Sequence, residues 1–71
     1  MNPLEKIINI EITADQACGI QAALLLARAN CQQWLNKHPD SKGRADTEME
    51  LEKLKGTITI IESALESAMR E

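Results

Sequence analysis

Between Ala17 and His38 the apolar positions Ala17, Ile20, Leu24, Ala27, Cys31 and Trp34 step by three and four, and His38 continues the phase. That spacing puts one stripe along a helix at the coiled-coil period. Thr13 stands at its start with Gln16 three residues on, a capping box, and Ile12 sits at the hydrophobic-staple position. Pro39 ends the run, because a proline pushes the residue before it away from helical dihedrals. A second stripe of the same kind follows in Leu51, Leu54, Ile58, Ile61, Leu65 and Ala68, preceded by Thr47 and Glu50 as another capping box. Gly56 and the β-branched run from Thr57 to Ile61 lower helix propensity locally, by about 1 kcal/mol for the glycine, yet the stripe runs through them.

Residues 39–46, rich in Pro, Asp, Ser and Gly, read as the one loop, so the chain is expected to fold as an antiparallel helical hairpin with helices over about 14–38 and 47–71. Residues 1–12 are ambiguous. Asn2, Pro3 and Glu5 open like a helix, while Ile8, Ile10 and Ile12 alternate like a strand. The reading preferred is a short helix or arm covering the open end of the hairpin with Leu4, Ile7 and Ile8. A strand here would have to pair across a dimer, since no second β segment is present in the chain. The whole is read as one all-α domain.

The first long helix carries more apolar surface than one partner helix can cover. Cys18, Ala22, Leu25 and Ala29 form a second stripe more than 90° around from the first, and Leu26 points another way again. Small side chains at this spacing allow another backbone to come close. Cys18, Ala22, Leu25, Leu26 and Ala29 are therefore the expected interface residues, facing a second protomer in a homodimeric four-helix bundle or a larger symmetric oligomer.

Composition agrees with this. A chain of 71 residues is short for a self-sufficient core, and its aromatic content is the single Trp34. The net charge of −3 lacks the basic excess that phosphate tracking needs, which argues against nucleic acid as a partner. No apolar run reaches signal or membrane length, so a cytoplasmic protein with no membrane contact is expected.

Candidate chemistry is sparse. On one helix Cys18 and Cys31 lie about 20 Å apart along the axis, too far to bridge, and both read as small buried thiols. His38 is the only histidine, a helical distance of about 10 Å from Cys31, so the two cannot form a nucleophile–base pair and no catalytic residue is assigned. Neither CxxC nor HxxxH spacing occurs, so no metal or cofactor is assigned either. Glu66 and Arg70 form a helical i, i+4 pair of small worth. One cluster has ligand-like ingredients: Trp34, His38, Lys42 and Arg44, with Lys37, gather at the loop end, where a flat ring, cations and a helix start would suit a nucleotide-like anion. In size and architecture the hairpin is similar to small helical regulators of plasmids and bacteriophages, a likeness of type without a shared motif. The expected function is a non-enzymatic protein–protein interaction module, a regulator, adaptor or inhibitor, with sequestration of a nucleotide-like anion as the alternative.

Overall fold

A computed structural model describes residues 2–70. Met1 and Glu71, the outer ends of the expected N-terminal segment and second helix, lie outside the described residues. A 3-10 turn over Pro3–Glu5 is followed by an arm, then by α1 (Ala14–Lys37) and α2 (Arg44–Met69), which pack against each other. The described residues are all-helical apart from the arm and connections, with no strand among them.

Each helix boundary has a local cause. Thr13 caps α1 as expected: its hydroxyl accepts from the Gln16 amide at 3.1 Å, and Gln16 Oε1 accepts from the Thr13 amide at 2.9 Å. Two amides that the helix cannot satisfy are thereby satisfied. At the other end α1 stops at Lys37, with His38 in a non-helical conformation before Pro39. The expected start of α2 needs correction. The helix begins at Arg44, three residues before Thr47, with Gly43 at the N-cap and no side-chain cap bond. Thr47 is instead half-buried inside the first turns, its amide bonded to the Gly43 carbonyl at 3.2 Å. The earlier start puts Arg44 next to the end of α1, and Asp46 still lies in the first turn, where the helix dipole favours an acid. Within α2 the hydroxyls of Thr57 and Thr59 donate to the carbonyls four residues back, at 2.9 and 3.0 Å. The stretch is helical, and its hydroxyls are bonded within the helix instead of capping or turning it.

The core is a single seam. Leu51, Ile58 and Leu65 of α2 are buried as the stripe requires, and Leu54 and Ile61 flank them half-buried. Ile58, with 2% of its surface exposed, is the centre. On α1 the expected face is rotated. Ala17 and Leu35 are the buried residues, Leu24 and Cys31 are half-buried between them, and Ile20 and His38 are exposed. Gln21 takes the place expected of Ile20 because its amide can donate across the seam to Glu62 Oε2, at 3.2 Å. His38, beyond the last helical turn, cannot continue the stripe.

Such a hairpin is one helix thick. Its extents are 47, 32 and 15 Å, and the smallest is little more than one helix diameter of about 10–12 Å. The radius of gyration is 14.8 Å, against about 11 Å for a compact domain of this length. The arm does not thicken it, because Leu4, Ile7 and Ile8 are exposed rather than packed over the helices. Both broad faces of the slab are therefore uncovered within the chain.

Candidate functional site

The bond between Gln21 and Glu62 fixes which sides of the two helices share a face. With about 100° of turn per residue, Cys18, Ala22, Leu25 and Ala29 lie on the Gln21 side of α1, and Glu48, Lys55, Glu62 and Glu66 lie on the matching side of α2. One broad face thus pairs a stripe of small apolar residues with a charged row. Cys18, Ala22 and Ala29 are exposed there and Leu25 is half-buried, while Leu26, 64% exposed, points to the outer edge. The expectation of two buried thiols fails at Cys18, which sits on this open face; Cys31 is half-buried in the seam. Both are free.

The opposite face is more apolar. Ile20, Ala27 and Trp34 of α1 lie there beside Leu54, Ile61, Ala64 and Ala68 of α2, and the half-buried residues among them are open to solvent on that side. At its open end a groove is lined by Ile12, Ala14 and Ala17 on one wall and Ile61, Ala64, Leu65 and Ala68 on the other. Ile12 is thus the one arm isoleucine that reaches the body. A shallow depression bounded by Ala45, Glu48, Met49, Glu52 and Lys53 belongs to α2 alone, and the outside of a single helix cannot enclose a ligand.

At the loop end the expected cluster is brought together, but its cations are not equivalent. The Trp34 and His38 rings stack at a tilt, with centroids 4.6 Å apart. The Trp34 ring lies against the loop, where a Cβ on Gly43 would stand 3.4 Å from the indole Cη2, an ordinary contact. Arg44 Nη1 donates to the Leu35 carbonyl at 2.6 Å and to the His38 carbonyl at 3.1 Å, and Nη2 stands 3.4 Å from Glu48 Oε1. The first bond satisfies a carbonyl of the last turn of α1, and the second adds to the Ser41 amide, which also donates to the His38 carbonyl, at 3.4 Å. The guanidinium expected to meet an anion is engaged inside the chain. Lys37 and Lys42 remain exposed, and the Gly43 amide donates to Ser41 Oγ at 3.2 Å.

Sequence reasoning missed Leu35, Gln21 and the capping role of Arg44. Leu35 was detectable as the fourth residue after Cys31 on a helix whose apolar positions fit more than one stripe. Nothing in the sequence marks Arg44, whose role depends on where α2 begins. Among the described residues no group of three His, Cys, Asp or Glu side chains is placed to hold a metal ion, and no helix is long and apolar enough to cross a membrane.

Comparison with protein-family models, with curated proteins and with solved structures gives no match.

Proposed function

We propose that this chain is a non-enzymatic protein–protein interaction module, a helical homo-oligomer with the dimer as its simplest form, which regulates, adapts or inhibits another protein by docking on it. The observation that carries the reading is surface area. The chain exposes 6015 Å², whereas a compact monomer of 7.9 kDa would expose about 4,400 Å². The excess, about 1,600 Å² per chain, is shared between the exposed arm and the two open faces, and it exceeds the roughly 800 Å² that each partner contributes to an interface of standard size.

The two faces suit two different partners. Obligate self-contacts are the more apolar kind, so the face of Ile20, Ala27, Ile61, Ala64 and Ala68 is the one assigned to a second copy. On the other face the charged row of α2 borders Cys18, Ala22, Leu25 and Ala29, with Leu26 at its edge. An apolar centre beside a charged rim is the composition of a docking surface for a different protein, and the rim here carries both signs, with Glu48 paired to Arg44 and Glu66 to Arg70. This moves the self-contact away from the stripe to which the sequence pattern alone assigned it. The anion-sequestering reading is weaker because Arg44 is committed to the α1 carbonyls.

Thermal unfolding followed by circular dichroism at several protein concentrations tests the reading. Folding coupled to association makes the midpoint rise with concentration. A midpoint independent of concentration from low to high micromolar, with full helicity, would contradict it.

A further inference from the structure

The arm between the 3-10 turn and α1 forms no regular element over residues 7–13. Lys6 and Thr13, at its two ends, have φ/ψ of −66°/135° and −76°/160°, in the polyproline II part of the extended region. Among the described residues, the amides of residues 7–12 have no hydrogen-bond partner within the chain. Unpaired amides between extended ends, in a segment whose residues are mostly β-branched, are free to add to another strand. Paired as a strand, the segment would alternate its side chains and bring Ile8, Ile10 and Ile12 to one side. Their exposure falls from 79% to 69% to 40% toward α1, where Ile12 enters the groove against Ile61, Ala64 and Ala68. The apolar side of the arm is therefore continuous with the apolar face of the slab.

We propose that this arm pairs with the same arm of a second copy as a two-stranded antiparallel ribbon, laid on the Ile61–Ala64–Ala68 face as part of the dimer interface. The proposal rests on the homo-oligomeric reading above. A second copy is the occupant because no strand is present among the described residues for the arm to pair with, and because the surplus surface matches what each protomer of a stable dimer buries. One register is favoured. With Ile10 on the dyad, Ile8 faces the partner's Ile12 and Asn9 faces the partner's Glu11, so all three isoleucines meet isoleucines and no like charges oppose each other. An isolated ribbon of this length would not persist in water. The apolar face beneath supplies the packing that it needs.

Amide hydrogen exchange of the full chain, read by NMR at a concentration where its mass is measured in parallel, tests this directly. The expected result is a dimer mass with alternate amides between Ile7 and Ile12 exchanging at least 100-fold more slowly than in an unstructured segment. With Ile10 and the partner's Ile10 as a hydrogen-bonded pair on the dyad, Ile10→Pro removes two ladder bonds and leaves both helices intact, and is expected to weaken the dimer at least tenfold while keeping the helical signal at high concentration. A dimer with uniformly fast exchange through the arm would overturn the ribbon and leave the oligomeric reading standing. So would an Ile10→Pro dimer as tight as the parent. A monomer would overturn both.

Discussion

Arg44, the first residue of α2, closes the end of α1: its Nη1 donates to the Leu35 carbonyl at 2.6 Å while Leu35 itself is one of the buried side chains of the seam. One side chain thus ties the two helices together where the loop separates them. Hydrogen bonds from a charged donor to carbonyls are worth more than neutral ones, and this one is partly shielded. Arg44→Ala is expected to cost about 1–2 kcal/mol and to lower the melting midpoint at fixed protein concentration by several degrees. Arg44→Lys should recover only part of this, because Nη1 serves both carbonyls while Nη2 stands against Glu48, and the single ammonium of a lysine cannot occupy both nitrogen positions. Equal midpoints for Arg44→Ala and the parent would remove Arg44 from the list of structural residues.

Ile58 is the centre of the seam that forms the core of the described residues. Its truncation in Ile58→Ala is expected to cost about 2–5 kcal/mol through lost burial and the cavity left behind. For a hairpin with so small a seam this is most of the stability, so the helical signal should be largely lost at 25 °C or recovered only at high concentration. Ile60, two residues on and 69% exposed, is the control: Ile60→Ala should leave the helicity of the fold unchanged.

Gly19 and Gly56 sit inside helices, and a Cβ on either would meet nothing within 4 Å. Their native φ is not positive, so no strain requires glycine at these sites. Gly19→Ala and Gly56→Ala are each expected to add about 0.5–1 kcal/mol, read as a higher melting midpoint. A fall at either position would mean that a partner helix passes too close there for a methyl group, a contact absent from the single chain.

The assignment of the two faces is tested by a pair of exposed alanines. Ala64 lines the groove on the apolar face, and Ala22 lies on the face of the charged row. A long charged side chain at either exposed site costs a lone hairpin little. Ala64→Arg is therefore expected to break the dimer to monomers in light scattering, and Ala22→Arg to leave the mass unchanged. The reverse pattern would return the self-contact to the stripe of Cys18, Ala22, Leu25 and Ala29.

The hairpin itself was legible because the α2 stripe alternates cleanly and Pro39 marks the end of α1. Leu51, Ile58 and Leu65 are buried where their spacing places them. The inward face of α1 was not legible. That helix is apolar over most of its girth, so the stripe through Ile20 and the one through Gln21 fit its sequence almost equally, and the structure buries Leu35 in the seam with Gln21 bonded to Glu62. Nor could Thr47 and Glu50 reveal that α2 starts earlier. A capping box is a local signal, whereas the bonds of Arg44 to α1 depend on the two helices already lying together. The arm shows the same limit: Asn2 caps its 3-10 turn, with its side chain accepting from the Leu4 amide at 3.0 Å, but local pattern could not say whether the isoleucines beyond it cover this chain or another.

All of these readings meet in the mass of the full-length chain in solution. Sedimentation equilibrium at micromolar concentration is expected to give twice the chain mass of 7.9 kDa, or a higher multiple, with dissociation on dilution accompanied by loss of helix. A species of 7.9 kDa that keeps its full helical signal at micromolar concentration would contradict the assembly and leave the slab with both faces open.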